Sequence, residues 1–342
     1  MNLDKKINNK MIFVVGNSRS GTTLMGEILG LNTQVFTFEE LHFFGQLWLE
    51  KDKNTYFSKT QAQNLFAKLI SIQNTDYLTQ QPLEKFKGEA IKVIEKIYHE
   101  QLSSADIFKH YLNYETSKQN KQTPLEQTPR NVLYIKEILE LYPEALIVNM
   151  IRDPRDVLLS QKYKWKIKFL GANNIPYKET LRSWLNYHPI TISKLWNASI
   201  KAADKFLEHP RVYSVKFEDL VTQSETIIKN ICDFVGIEFQ SQMLEVSHQN
   251  SSHQQRNLQN KGIDPKVIEK WKKGGLSKTE IYICQKITDD NMKNHNYEIS
   301  SINVNIFSLF LSYLFFPAKI SLALVLNIRR TKNIIEALKR RL

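Results

Sequence analysis

The sequence predicts an α/β fold: a doubly wound, mainly parallel sheet flanked by helices, with a helical insertion and an apolar C-terminal helical tail. Three observations lead there. Met11 to Val15 and Leu146 to Ile151 are short apolar runs of the kind that form parallel strands covered on both faces, and Val212 to Phe217 reads as a third strand. Helical periodicity follows each run, as strand–helix alternation requires. A tight glycine loop, Gly16 to Gly21, separates the first strand from its helix.

After the loop, Leu24, Ile28 and Leu31 share one side of a helix starting at Thr22. The stretch from Phe44 to Pro124 is polar and mostly helical in period, through Ile91, Ile94, Ile97 and Tyr98, and reads as a helical insertion over about 45–125. Ser117 to Gln127, rich in glutamine and lysine, reads as an exposed loop. Val132, Ile135, Ile138, Leu139 and Tyr142 mark a helix ending at Pro143. Arg152 closes the second strand; Asp153 is a suitable N-cap, with Pro154 at the first helical position and Asp156 in the first turn. The helix after the third strand runs through Ile227, Ile231 and Phe234. In such a fold ligands bind at the carboxyl ends of the strands.

The 342 residues, 42% hydrophobic and 24% charged, suffice for one large domain over 1–300 and a tail over 301–342. The net charge of +12 favours anionic partners. It does not indicate nucleic acid, because zinc-finger spacing and basic-aromatic RNA-binding modules are missing. Cys232 and Cys284 lie in apolar helical sequence and read as buried thiols, without metal-ligand spacing. The polar N-terminus lacks the apolar run of an export signal, which points to a cytoplasmic protein. In the tail, Ile306 to Ile328 is apolar but broken by Pro317 and Lys319. Two halves of about ten residues are too short to span a bilayer. They predict a helical hairpin lying in one leaflet, followed by a basic amphipathic segment, Arg329 to Leu342, at the cytoplasmic face of a membrane. Packing of the tail on the core or on a second subunit is the alternative; oligomeric state is not legible.

Gly16-Asn17-Ser18-Arg19-Ser20-Gly21-Thr22-Thr23 has the glycine spacing of a phosphate loop, so the fold is P-loop-like. Backbone N–H groups and the positive end of the following helix make such a loop an anion cradle. A plain glycine turn would share the glycines but not the surrounding Arg19, Ser20, Thr22 and Thr23. A P-loop nucleotide kinase would need lysine where Thr22 stands, and the cation here is earlier, at Arg19.

The run Ser18 to Leu24 resembles the 5′-phosphosulfate loop of sulfotransferases that use 3′-phosphoadenosine-5′-phosphosulfate (PAPS), especially tyrosylprotein sulfotransferases and their bacterial relatives. Ile151-Arg152-Asp153-Pro154-Arg155-Asp156-Val157-Leu158-Leu159-Ser160 resembles their 3′-phosphate motif, an arginine ending a strand and a serine eight positions on. The resemblance implies that Arg19, Ser20, Gly21, Thr22 and Thr23 hold the phosphosulfate, that Arg152 and Ser160 bind the 3′-phosphate, and, more weakly, that Lys270 contacts the phosphates. It implies PAPS as co-substrate, no metal requirement and a hydroxyl-bearing acceptor. Bland roles exist for both motif residues, a carboxylate pair for Arg152 and a solvated helix position for Ser160. The tyrosine that usually precedes the acidic pair Glu218-Asp219 is Phe217 here.

Sulfuryl transfer needs a base for the acceptor proton and cations around the sulfonate. Glu39-Glu40-Leu41-His42-Phe43-Phe44 supplies the base, and its resemblance to heparan and tyrosylprotein sulfotransferases places that role on Glu40. His42 is the second candidate, as base or acceptor-orienting group. Phe43 and Phe44 read as core. In Glu126-Gln127-Thr128-Pro129-Arg130, glutamine replaces the family's sulfonate-stabilising lysine, leaving Arg130, Lys136 or Arg19 to supply charge. A catalytically weak nucleotide-binding membrane protein is the remaining alternative.

Overall fold

The computed structural model describes residues 10–75, 82–98, 101–166, 177–246, 262–327, 336, 339 and 340. Its centre is a five-stranded parallel sheet built from β1 (Met11–Gly16), β2 (Val35–Thr37), β5 (Thr123–Glu126), β6 (Ala145–Ile151) and β7 (Val212–Lys216), in the order β2-β5-β1-β6-β7. Every pairing in it is parallel, with β1 running beside β6 from Met11↔Ala145 to Gly16↔Met150. A short antiparallel pair, β3 (Tyr56–Phe57) and β4 (Leu102–Ser103), lies outside this sheet.

Alternation along β1 shows why the sheet is covered on both sides. Met11, Phe13 and Val15 enter one apolar cluster, and Ile12 and Val14 enter the other. The first cluster is filled from α2 (Lys59–Thr75), α3 (Glu84–Ile97), α4 (Ser104–Lys118) and α5 (Ile135–Leu141). The second takes α1 (Thr22–Gly30) and α10 (Ser224–Val235), the latter closed by Gly236 in the left-handed region. A third cluster joins α6 (Pro154–Lys162) to α8 (Pro189–Asp204) and α11 (Lys278–Asn294). Two helices remain: α7 (Tyr177–Asn186) and α9 (Phe217–Thr222), before the tail helix α12 (Ile306–Asn327). Cys232 and Cys284 are free, buried thiols, and Phe43 and Phe44 are core. The Phe43 ring stacks on Phe108 at 4.0 Å.

The polar stretch expected as a loop at Ser117–Gln127 instead ends in β5, which lies between β2 and β1 with all four residues buried. The helix expected from Val132 begins as a 3-10 turn, Pro129–Tyr134, and becomes α5 only at Ile135. Phe217, expected at the end of a strand, is the first residue of α9.

The tail departs most from expectation. Instead of a hairpin of two halves too short to span, Ile306–Asn327 is one continuous helix of 22 residues with Pro317 inside it, long and apolar enough to cross a membrane by length and composition alone. Proline removes one i→i−4 bond and crowds the preceding turn. Contacts with the domain keep α12 together across that point: Phe316 meets the His188 ring, and the Lys319 ammonium lies 4.6 Å from the Trp184 ring. Its ends are tied down as well, Ser308 to Thr279 and Asn327 to Asn186 and Arg182. Most of Arg329–Leu342 lies outside the described residues. Arg340 turns onto the domain, paired with Glu137 and Glu336 and lying 4.1 Å from the Tyr134 ring.

Candidate active site

The chain order reverses at β1, which lies between β5 and β6, so the crevice beyond its carboxyl end is where a ligand belongs. The glycine loop sits there. Gly16 and Gly21 have φ of 151° and 94°. A Cβ on Gly16 would stand 2.4 Å from the Met150 carbonyl oxygen, and one on Gly21 2.4 Å from the Phe217 ring. Conformation and space both demand glycine at these positions.

Arg19 takes φ 75°, a left-handed conformation costly for a residue with a side chain. Two long-range contacts hold it there. Its Nε donates to Ser160 Oγ at 2.9 Å, and its carbonyl accepts from Arg152 Nη1 at 3.2 Å. The loop arginine and the two residues of the second motif, more than a hundred positions apart in sequence, therefore meet at one point.

Arg152 is buried, with Nη2 donating to the Val267 carbonyl at 3.0 Å and the guanidinium 4.2 Å from the Phe217 ring. Among the described residues it has no ion pair, and its Nε has no hydrogen-bond partner; the Ser20 hydroxyl is likewise buried without one. Orphaned buried donors are costly, and an anionic ligand would satisfy both. Burial lowers the pKa of both arginines, that of Arg19 to about 10, with Arg152 beside it pushing the same way. Two desolvated guanidinium groups next to one another form a strongly positive pocket. Thr22 is buried and Thr23 half-buried in the first turn of α1.

Lys270 opens a 3-10 turn, Lys270–Lys273, anchored over the start of α6. Trp271 N donates to Asp156 Oδ1 at 3.0 Å, and the Arg155 guanidinium lies 4.0 Å from the Trp271 ring. Arg155 also pairs with Asp153 at 2.7 Å and donates to Gln285 and the Glu298 carbonyl, locking α6 to α11 and the segment after it. Burial, and then the charge of Arg152, lower the Lys270 pKa.

The loop after β2 carries Glu40 and His42. His42 has φ 50°, and its N–H donates to Thr128 Oγ1 at 3.2 Å. Glu126, buried at the end of β5, accepts from Thr128 N at 3.1 Å, from Asn131 Nδ2 at 2.6 Å, and from the Thr128 hydroxyl. The Leu41 backbone bonds to it too. Burial raises this carboxyl to about 7 despite those donors. Glu126 is thus the post to which the Glu40–His42 loop is tied. Its place in a polar, glutamine-rich stretch gave no sign of that role.

His42 Nε2 lies 3.4 Å from Glu40 Oε2. Burial, with Arg130 and Lys164 nearby, lowers the imidazole to about 3, so it is neutral at neutral pH and meets Glu40 as a dipole. Glu40 is half-exposed and within electrostatic reach of Arg19, whereas Glu39 is exposed, its N–H bonded to Gln73. Gln127 is buried against Gly26 of α1, its carbonyl oxygen without a partner among the described residues. Lys136 is largely exposed and pairs with Glu140, away from this cluster. Sequence reasoning missed Glu126, and it read Phe217 only as a lost hydroxyl.

Fold and site together define a doubly wound, P-loop-like protein with an anion pocket at the switch point of its sheet. Residues 11–241 match the model of the Sulfotransferase family, and the chain belongs to that family. Among curated proteins it is similar to the nodulation protein NoeE of Sinorhizobium fredii (22% identity over 298 residues, 81% of this chain and 62% of the relative). It also resembles an uncharacterized protein of Aquifex aeolicus (24% over 270 residues, 77% and 30%). The chain thus spans under two thirds of the length of either relative. Among solved structures, the sulfotransferase domain of the Synechococcus PCC 7002 olefin synthase superposes with a TM-score of 0.53 at 19% identity, over 88% of this chain and 99% of that one. The agreement extends to the fold as a whole.

Proposed function

We propose that the protein transfers a sulfuryl group from PAPS to a hydroxyl, less readily an amine, of a carbohydrate, glycolipid or other membrane-proximal acceptor. The observation that carries the choice of nucleotide is the meeting of Arg152 and Ser160 with the Arg19 loop. A second buried guanidinium beside a phosphate loop suits a nucleotide with a second, separate phosphate, which ATP lacks. The loop residues Arg19, Ser20, Gly21, Thr22 and Thr23 would hold the phosphosulfate, and Arg152, Ser160 and Lys270 the 3′-phosphate side. Family membership supports the reaction class.

In this reaction Glu40 takes the acceptor hydroxyl proton as the acceptor oxygen bonds to sulfur. The bond from sulfur to the 5′-phosphate oxygen breaks, and adenosine 3′,5′-bisphosphate (PAP) leaves with the electron pair. Glu40 suits the base role because it is a half-exposed carboxylate close to the loop cation, while neutral His42 with its lowered pKa is a poor proton acceptor. His42 instead has the geometry to orient the carboxylate or the acceptor. The nucleotide assignment is tested by calorimetry on the full chain. PAP is expected to bind at least about a hundredfold more tightly than Mg-ATP, as two added charge-assisted contacts imply. Tighter Mg-ATP binding would return the protein to the kinase-like class.

Membrane association fits α12 as a helix lying in the interface. Phe307, Phe310, Leu314, Phe315, Leu322 and Val325 are exposed, while the opposite side and both ends are fastened to the domain. A helix held along its length by a polar domain is placed to dip one face into a bilayer, at the cytoplasmic surface if the protein is cytoplasmic. The chain is expected to float with vesicles containing anionic lipid, and F310E with F315E to abolish flotation without lowering PAP affinity. Unchanged flotation would remove α12 from that role.

A further inference from the structure

We propose that Thr128 and Glu126 are positioning residues for the base: their side chains set the left-handed turn at His42 that aims the loop carrying Glu40. The assignment rests on the sulfuryl-transfer reading above, with Glu40 as base. It gives a part in that reaction to two residues outside the phosphate loop and the 3′-phosphate motif.

The Thr128 hydroxyl is not where its place in the chain would put it. Thr128 is the N-cap of the 3-10 turn Pro129–Tyr134, and Pro129 after it keeps its backbone extended, at φ −75° and ψ 112°. A threonine there ordinarily turns its hydroxyl onto the N–H groups of the turn. Here the side chain makes no such cap bond. Instead the hydroxyl donates to Glu126 Oε1, and its oxygen accepts from the His42 N–H at 3.2 Å. Asn131, in the same turn, also points its amide at Glu126, at 2.6 Å from Oε2.

Chemistry fixes the direction of this chain of bonds. Thr128 N, the Thr128 hydroxyl, Asn131 Nδ2 and the Leu41 backbone supply four donors to Glu126. A carboxylate has about four lone-pair positions and no proton to give. The hydroxyl has one proton, and giving it to Glu126 leaves only lone pairs for His42. The His42 N–H therefore meets a fixed acceptor. That matters because His42 stands at φ 50°, a conformation costly for a residue with a side chain, which persists only where the surroundings impose it. Leu41 and Phe43 on either side are buried in the core, and the Thr128 bond holds the bend between them. The imidazole follows that backbone and lies 3.4 Å from Glu40 Oε2. A carboxylate buried this deeply is costly without its donors, so the loop is driven to the arrangement that supplies them. Apolar packing alone would tolerate small shifts of Glu40. A reacting base would not, since a misplacement of about 1 Å can cost about a hundredfold in rate.

The test uses the full-length protein at about pH 8, above the value of about 7 to which burial raises Glu126, so that the carboxylate prevails. Sulfate transfer from labelled PAPS to a membrane or glycan extract is measured beside PAP calorimetry, a thermal melt and hydrogen exchange of the His42 amide. Thr128→Val keeps the shape and removes the hydroxyl. It is expected to slow transfer by about tenfold to a hundredfold and to speed His42 exchange at least about tenfold, with PAP affinity within about threefold and a melt near that of wild type. Thr128→Ser, which keeps the hydroxyl, is expected to recover most of the rate. Glu126→Gln, which sets an amide donor among donors, should behave like Thr128→Val. Wild-type transfer or unchanged His42 exchange in Thr128→Val overturns the assignment, as does PAP affinity falling in step with the rate while Thr128→Ser recovers nothing. Wild type that transfers nothing, or Glu40→Ala that transfers at full rate, overturns the reading beneath it. That failure is told apart because His42 exchange still responds to Thr128→Val.

Discussion

Arg152→Ala is expected to weaken PAP binding by at least about a hundredfold, the largest loss any single substitution in the nucleotide pocket should cause. Each charge-assisted bond to a phosphate contributes about 1.5–3 kcal/mol, and the guanidinium can make more than one. Arg152 also does two further things. It ties the Arg19 carbonyl and so helps hold the left-handed turn of the phosphate loop, and it bridges to Val267 in the segment leading to Lys270. Removing it lets both sides of the pocket relax. Arg152→Lys should recover little, because one ammonium cannot reach both carbonyls, lie flat on Phe217 and still face a phosphate. The check is PAP titration by calorimetry beside a thermal melt. A melt near that of wild type with binding lost places the effect in the site, whereas full PAP affinity in Arg152→Ala would remove the 3′-phosphate assignment.

Glu40→Ala is expected to lower sulfate transfer by about 10²–10⁴-fold, the usual contribution of a positioned base, while PAP affinity stays within about threefold. The separation follows from the geometry. Glu40 lies on a loop tied to Glu126 through Leu41, His42 and Thr128, rather than on the phosphate loop or beside Arg152. Measurement requires labelled PAPS and a membrane or glycan extract as acceptor source. Undiminished transfer in Glu40→Ala would move the base elsewhere. His42→Ala makes the companion experiment: its imidazole, held near 3 by burial and neighbouring cations, is neutral across the working range. Its loss should alter acceptor KM more than the pH profile.

Much of the anion pocket could be read before any fold was known, and the loop that faces it could not. Phosphate loops and helix starts are local devices. A glycine at a positive φ, an N-cap before proline and an arginine at a strand end each announce themselves within about ten residues. Arg19 stands out in the loop itself, whereas Arg152 and Ser160 are singled out by the resemblance of their motif to that of sulfotransferases. That Arg19 donates to Ser160 is not legible there, because the bond joins residues 141 positions apart. The substitution of phenylalanine for tyrosine at 217 reads in sequence as a lost hydroxyl. In space the ring is the surface on which Gly21 and Arg152 both rest.

Two other features lay beyond local pattern. Thr123–Glu126 is polar enough to read as a loop, yet pairing with strands on both sides buries it, and the donors around Glu126 make that burial tolerable. Pro317 and Lys319 read as a break in the tail, but His188 at the start of α8 meets Phe316, and Trp184 of α7 receives the Lys319 ammonium. Composition and periodicity alone establish the doubly wound sheet, the anion loop at its switch point and the surplus of positive charge, since each depends on neighbours along the chain. How the two arginines meet, what anchors the Glu40–His42 loop and how the apolar tail is held depend on contacts between distant segments. Only the packing of the sheet against its helices brings those segments together.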